Sequence, residues 1–186
     1  MGLAVRRLLR EALCSLGVVA VVGTIAFGLP AIDRAVPSTR SVPPDQPYGI
    51  GGGVTVIPPP GALLDVTRTR SRTDRGSALF VLGDVRYAVL VSGFSGDLTA
   101  AAARLRRRLH DAGGYLPAGP ARPVTTLAGI SGLAGDLRGP RDRAGRYAVY
   151  LVGRRVVEAT ATGPAGTLDG HLPEVDTSLA SIRDAP

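Results

Sequence analysis

Two groups of arginines have the spacing that an anion-binding site requires. In the first group, Arg68, Arg70 and Arg72 alternate with threonine and serine. In an extended strand, residues two positions apart project from the same face, and a guanidinium group binds phosphate or carboxylate through two parallel hydrogen bonds. The alternation therefore predicts an anion-binding row. Its alternative is a polar edge strand or exposed loop whose charges prevent edge pairing.

The second group, Arg104, Arg107 and Arg108, lies in a segment that favours a helix. Residues three and four positions apart share a helix face, so these arginines lie on one side, away from the apolar stripe. We predict that the six arginines of the two groups are the binding residues of the protein. The alternative is a solvated surface, since all 22 Lys and Arg positions are arginine.

The sequence lacks the common nucleophile and metal-ligand motifs. Ser95 in GFSG and Ser131 in GISG lack the G-x-S-x-G spacing of a nucleophile elbow. His110 and His171 stand outside metal-ligand spacings such as H-E-x-x-H. We therefore predict no catalytic residue, no metal site and no cofactor. A Ser–His–Asp triad whose members meet only in space is the remaining enzymatic alternative.

Glu158 is a carboxylate in the otherwise apolar strand segment RVVEATATG. By the two-residue period of a strand, Val156, Glu158 and Thr160 share one face. We expect that face to be exposed to solvent or covered by a helix. Arg154 or Arg155 is the partner that we expect for the Glu158 carboxylate.

A membrane anchor precedes these residues. Residues 13–32 read LCSLGVVAVVGTIAFGLPAI and contain no charge, and a helix of about 20 residues spans about 30 Å, the thickness of the hydrocarbon core. Arg6, Arg7 and Arg10 keep the N-terminus in the cytoplasm. We predict a single-pass plasma-membrane protein with residues 1–12 inside and its domain outside. A cleavable signal peptide is the alternative, and it also places the domain outside.

Small residues recur along one side of the predicted anchor. Ala20, Thr24 and Gly28 are four positions apart, so they share a helix face on which two helices can approach closely. This spacing predicts a homodimer through the membrane helix. The alternative is that the residues follow the general abundance of small side chains in membrane helices.

Composition narrows the partners of the exported domain. Cys14 is the only cysteine, so neither an intrachain disulfide nor a zinc cluster is possible, and the domain must rely on its hydrophobic core. The net charge of +7 attracts anionic lipids, acidic partners or nucleic acid. Because the domain is predicted to lie outside the membrane, we expect no nucleic-acid partner.

The remainder of the chain divides into a linker and one domain. Residues 33–53 are rich in proline and glycine and predict a semi-rigid linker. Residues 54–183 predict an α+β domain, an antiparallel sheet covered by two helices. The main predicted elements are a hairpin of residues 77–82 and 86–93, a helix from 97 or 99 to 110 or 111, a hairpin of residues 147–152 and 155–161, and a helix from 173 to 182.

Several segments in this order resemble a known family. VTVIPPPG, VTTLAGISG, the hairpin around YAVY and the terminal SLASIR resemble actinobacterial membrane-anchored extracytoplasmic domains of PsbP-like or LpqN-like type, which are α/β/α sandwiches. The likeness covers residues 54–183. Many such domains carry Gly-Trp after the prolines, where this chain has Gly61-Ala62. The resemblance implies a non-catalytic module that binds partners or ligands in the cell envelope, and it carries over no functional residues.

These observations favour a membrane-tethered, non-enzymatic envelope protein that binds an envelope or secretion protein. A module for a small ligand or an anionic lipid, using the arginine groups, is the first alternative. A hydrolase with an unrecognised serine is the second. The identity of the partner does not follow from the sequence.

Overall fold

The structure is a computed structural model that describes residues 38–185, and its centre is an antiparallel sheet with one helix on each face. The helices are α1 (Leu98–Gly113) and α2 (Ala165–Ala180). The strands are β1 (Thr39–Ser41), β2 (Tyr48–Gly51), β3 (Val54–Val56), β4 (Leu63–Asp65), β5 (Arg70–Ser71), β6 (Gly76–Leu82), β7 (Val85–Gly93), β8 (Leu116–Pro117), β9 (Arg122–Thr125), β10 (Ser131–Arg138), β11 (Arg143–Val152), β12 (Arg155–Pro164) and β13 (Arg183–Asp184). The predicted α+β class is confirmed.

Ten strands form the large sheet, in the order β1-β4-β6-β7-β12-β11-β10-β8, with β5 beside β6 and β9 beside β10. The hairpins β6–β7 and β11–β12 form its centre, as predicted, and β7 joins them by pairing with β12. Gly83 and Gly153 have φ of 56° and 58° in the two turns. Only glycine adopts this left-handed conformation without strain, which explains why the turns were readable from the sequence.

One face of the large sheet, the packed face, is covered by α2 and by a small sheet of β13, β3 and β2. The core side chains on this side are apolar. The largest are Ile50, Phe80, Tyr87, Tyr150 and Leu168. Burying this apolar surface is the main source of stability in a domain without disulfides.

Helix α1 covers only part of the opposite face. Ala101, Ala102 and Leu105 pack against Tyr147 and Val149 of β11. Over β6 and β7, no helix among residues 38–185 covers the same side of the sheet, and most side chains there are half-buried. We call this uncovered part, formed by β6, β7 and the adjoining side of β12, the open face.

Local signals at its two ends define α1. The Asp97 side chain accepts a hydrogen bond from the Ala100 amide at 2.7 Å, as expected of an N-cap residue. At the other end, Gly114 has φ of 66° and donates to the His110 carbonyl at 2.7 Å, which is the usual glycine termination. The predicted helix and its N-cap at Asp97 are confirmed, and the helix ends at Gly113, two residues after the later of its two predicted ends.

The second helix differs from its prediction. Helix α2 begins at Ala165, eight residues before the predicted start at Pro173. Leu168, Val175 and Leu179 are buried along its inner side, so the apolar stripe starts upstream of the proline. A proline inside a helix lacks an amide donor, and the burial of Leu168 on the packed face offsets that loss.

The predicted linker of residues 33–53 extends too far, because part of it belongs to the domain. Strand β1 pairs with β4, and β2 pairs with β3 through a bulge between Gly49 and Gly51. The Ile50 side chain is fully buried. Prolines and glycines separate the apolar residues so widely that no strand period is visible in the sequence.

Residues 1–37 lie outside the part of the chain that the structure describes. The predicted cytoplasmic segment 1–12, the membrane helix 13–32 and its small-residue face of Ala20, Thr24 and Gly28 therefore remain predictions. Among residues 38–185, no helix is long and apolar enough to cross a membrane.

Candidate functional site

The strand register places one row of side chains across the open face. Glu158 in β12 is opposite Leu90 in β7, Leu90 is opposite Ser77 in β6, and Ser77 is opposite Arg70 in β5. Opposite residues in antiparallel strands point to the same side of a sheet. At a strand spacing of about 4.8 Å, the row is about 14 Å long. Glu158 is its end beside α1, and Arg70 is its end at the edge of the sheet.

At the α1 end, the row ends in a buried ion-pair cluster. The Glu158 side chain is 1% exposed. Its Oε1 accepts a hydrogen bond from Arg104 Nη2 at 3.0 Å, and its Oε2 accepts one from Arg108 Nη2. The Arg104 guanidinium also lies over the Phe94 ring, 4.6 Å from its centroid, in a favourable cation–π position. Two cations face one carboxylate, so the cluster carries a positive charge.

The predicted partners of Glu158 are wrong. Neither Arg154 nor Arg155 pairs with it, and Arg155 instead binds the Gly52 carbonyl and the Asp184 carboxylate, the latter at 3.2 Å. The face of Glu158 is the helix-covered one of the two that we considered. Arg104 and Arg108 reach it because they are four residues apart on α1 and lie one above the other.

The structure divides the three arginines that we predicted on α1. Arg104 and Arg108 converge on Glu158 and remain 36% and 46% exposed. Their outer surfaces can therefore still meet a ligand. Arg107 is exposed on another side of the helix and does not join them.

At the other end of the row, arginines surround a small cavity. Arg70, Arg72 and Arg75 line a space of about 310 Å³, which is large enough for a phosphate or carboxylate group. Its remaining walls come from Gly76, Ser77, Leu90, Val91 and Ser92. Within residues 38–185, neither Arg70 nor Arg72 forms an ion pair, so both guanidinium groups are available to an anion.

The first predicted arginine row is therefore only partly correct. Arg70 and Arg72 line the same cavity, as the alternation suggested. However, β5 contains only Arg70 and Ser71, and Arg68 lies in the preceding turn. Its Nε is 3.9 Å from Asp65 Oδ2. Arg75, which the sequence analysis did not select, takes the third position around the cavity.

Asp65 shapes the turn that holds Arg68. Its Oδ1 accepts hydrogen bonds from the Thr67 hydroxyl at 2.6 Å and from the Thr67 and Arg68 amides at 3.0 and 3.1 Å. These bonds, chiefly the one from the hydroxyl, hold the pKa of Asp65 below its usual range. The turn is a local structure of the type that aspartate favours, and it ends the strand that we expected to continue.

Backbone contacts with a glycine segment hold the loop that contains Arg72 and Arg75 in place. The Gly52 amide donates to the Arg72 carbonyl at 2.9 Å, and the Arg72 amide donates to the Arg75 carbonyl at 2.9 Å. At Gly76, a Cβ atom would be 1.8 Å from the Ile50 carbonyl oxygen. The backbones therefore approach so closely that only glycine fits. Residues 49–53, GIGGG, were predicted as linker because no strand period is visible among these glycines.

A second and larger cavity lies farther along the open face, near the end of α1. It has a volume of about 880 Å³. Leu79, Val81 and Arg86 belong to its sheet side, and Gly113 and Tyr115 belong to the end of α1. The open face thus has an apolar centre with a cavity toward each end.

The histidines and serines are placed apart from this site. His110 Nδ1 is 3.2 Å from Asp111, its neighbour in the chain, and His171 Nδ1 is 2.7 Å from Glu174 within α2. Ser95 is exposed in the loop before α1. In the part of the chain that the structure describes, no three His, Cys, Asp or Glu side chains come together as metal ligands.

The geometry of the domain corresponds to a PsbP-like fold. The chain is similar to the solution structure of cyanobacterial PsbP (CyanoP) from Synechocystis sp. PCC 6803, with a TM-score of 0.56. The match covers 75% of this chain and 91% of that chain at 16% sequence identity. No family model and no curated protein matches the chain. The likeness concerns the fold alone.

Proposed function

We propose that this protein is a non-enzymatic module of the cell envelope, tethered by residues 13–32, whose domain binds another envelope protein through the open face. The observation that carries the proposal is the incomplete cover of the sheet. Helix α1 packs over β10 and β11, whereas neither helix of the described residues lies over the same face of β6 and β7. An uncovered apolar sheet face beside exposed arginines is typical of a protein-binding surface.

The centre of the open face is apolar and continuous. Leu79, Val81, Ala88 and Leu90 are half-buried on this side. Leu63 of β4 pairs with Val81, so the strip ends at this edge of the sheet. Protein interfaces commonly have an apolar centre of this kind, and arginine is enriched at their hot spots.

The positive charge of the open face indicates which groups the proposed partner should present. The α1 end of the face has two arginines and one carboxylate, so it carries a net positive charge. Complementary charge steers association and disfavours wrong partners. The partner surface should therefore present apolar side chains flanked by carboxylates.

Photo-crosslinking in the native envelope tests this proposal. A photoreactive residue replaces Arg86, which is exposed on the open face, or Thr177, which is exposed on α2 as a matched control. We expect a discrete adduct of constant mass from position 86 and none from position 177. The same adducts from both positions, or none from position 86, would contradict the proposal.

A second variant pair examines the apolar strip. Leu90→Asp should abolish the adduct formed from position 86, because it places a charge in the centre of the face. Leu116→Asp, in the exposed β8 at the far edge of the sheet, should leave the adduct unchanged. Circular dichroism confirms that both variants fold, and equal adduct yields would remove the assignment to the open face.

A further inference from the structure

The geometry points to a second contact surface, at the edge of the large sheet formed by β1, β4 and β5. We propose that this arginine edge, defined by Leu63, Val66, Arg68, Arg70 and Arg72, lies on the membrane and binds the phosphate groups of anionic lipids. The inference rests on the proposed membrane tether, but it does not depend on the protein partner.

The charge of the edge is strongly unbalanced. Residues 66–75 contain four arginines and a single acid, Asp74, which lies 3.7 Å from Arg75. Asp65, just before them, is occupied by the hydrogen bonds of its turn and by Arg68. Arg70 and Arg72 face the shared cavity of about 310 Å³. Planar guanidinium groups bind the oxygens of a phosphate bidentately.

Exposed apolar side chains accompany these charges. In the described part of the chain, four large apolar residues are exposed, and two of them, Leu63 at 41% and Val66 at 43%, lie at this edge. A surface that combines arginines with exposed aliphatic side chains suits the interface between headgroups and acyl chains. A site for free phosphate in water would not need the aliphatic residues.

Only a short segment connects the domain to the predicted anchor. Strand β1 begins at Thr39 and pairs with β4, so the chain joins the domain at the arginine edge. Six residues, 33–38, separate β1 from the end of the predicted membrane segment. Six residues span at most about 20 Å when fully extended. A domain on so short a connection stays within reach of lipid headgroups, as binding to anionic lipid requires.

The test uses the full-length chain in nanodiscs of phosphatidylglycerol or of phosphatidylcholine. In a Cys14→Ser background, an environment-sensitive dye labels Leu63→Cys at the arginine edge or Leu116→Cys at the opposite edge. We expect a blue shift of the dye emission at position 63 in phosphatidylglycerol, a smaller shift in phosphatidylcholine, and none at position 116. Equal spectra from the two lipids at position 63 would overturn the inference.

Matched arginine variants separate a specific edge from general attraction. The pair Arg70→Gln with Arg72→Gln should remove the shift at position 63. The pair Arg138→Gln with Arg141→Gln, exposed at the far end of the sheet, removes the same charge and should preserve it. Equal losses from both pairs would show that only net charge matters and would overturn the assignment to this edge.

Failure of the proposed membrane anchor would give a different result from failure of the arginine edge. A chain that does not copurify with either nanodisc would contradict the membrane anchor of the proposed function. Flotation of that chain with phosphatidylglycerol or phosphatidylcholine vesicles then decides the inference by itself. Flotation with phosphatidylglycerol alone, lost in the Arg70→Gln, Arg72→Gln variant, would support the arginine edge. Absence of flotation would refute it.

Discussion

The two faces of the large sheet differ in how completely they are covered and in the residues that they bury. The packed face is covered by α2 and the small sheet, and its core side chains are apolar. On the other face, α1 covers β10, β11 and the adjoining part of β12, which contains the buried Glu158. The packed face contains most of the apolar core, and the half-covered face leaves apolar and charged groups partly accessible to solvent.

The same contrast appears within one residue type. Arg104 and Arg108 are oriented by Glu158, whereas Arg70 and Arg72 have no carboxylate partner within residues 38–185. Neither the two-residue spacing of the first group nor the helical spacing of the second shows which arginines pair with a carboxylate. A single buried carboxylate therefore decides which arginines support the fold and which remain available for binding.

The largest loss of stability should follow from removing the two cations that pair with Glu158. In Arg104→Met with Arg108→Met, a carboxylate that is 2% exposed stays buried without a partner, and the free energy of unfolding should fall by about 3–5 kcal/mol. Urea denaturation followed by circular dichroism measures this loss.

Removing the carboxylate instead supplies the control. In Glu158→Leu, the two arginines can turn toward water because they are partly exposed, so we expect a loss of about 1 kcal/mol or less. Combining Glu158→Leu with the double methionine variant should recover most of the stability. Additive losses in the triple variant would contradict a coupled cluster.

The next largest effect concerns the support of the arginine edge. Gly76→Ala would place a Cβ 1.8 Å from the Ile50 carbonyl oxygen, and such overpacking should cost about 1–3 kcal/mol. Gly49→Ala is the matched control, because no atom lies within 4 Å of its Cβ position. Thermal denaturation compares the two, and equal melting temperatures would refute the close approach.

The dependence of stability on alkaline pH tests the packed face without any arginine substitution. Burial raises the pKa of Tyr150 from 10.0 to about 12, aided by the nearby Asp176, and burial also raises that of Tyr87. Above pH 10 the unfolded chain loses these protons while the folded chain keeps them, so stability should fall by about 1 kcal/mol per tyrosine at pH 11. Absorbance at about 295 nm follows the ionisation, and titration of all tyrosines near pH 10 would contradict this expectation.

The smallest effect is expected where the arginines are unpaired. Arg70→Gln with Arg72→Gln should change the free energy of unfolding by no more than about 0.5 kcal/mol. Urea denaturation of this variant beside Arg104→Met with Arg108→Met gives the direct comparison. A loss above about 2 kcal/mol would mean that Arg70 and Arg72 support the fold.

Elements with local signals were predictable from the sequence. The hairpin turns contain Gly83 and Gly153, and α1 has an N-cap aspartate and a terminal Gly114, so residues within a few positions determine each structure. Local spacing also selected Arg70 with Arg72 and Arg104 with Arg108, but it included Arg68 and Arg107 and missed Arg75. These features require no knowledge of the remaining chain.

Features that depend on distant residues were not predictable. Glu158 pairs with arginines about 50 positions earlier, and the close packing of Gly76 requires Ile50. The start of α2 was missed because Pro173 is a strong local signal, while the burial of Leu168 depends on the sheet beneath it. In each case a tertiary contact outweighed local preference.

The pairing of β7 with β12 also sets the order in which the domain can form. Gly93 and Arg155 lie opposite each other in this pair, so the whole of α1 and four strands must be present before the two central hairpins can join. Contacts between such distant segments slow folding. If the chain crosses a membrane from its N-terminus, the free edge of β7 in the β6–β7 hairpin stays unpaired until β12 has crossed. A holding chaperone on the far side would therefore raise the yield of folded protein.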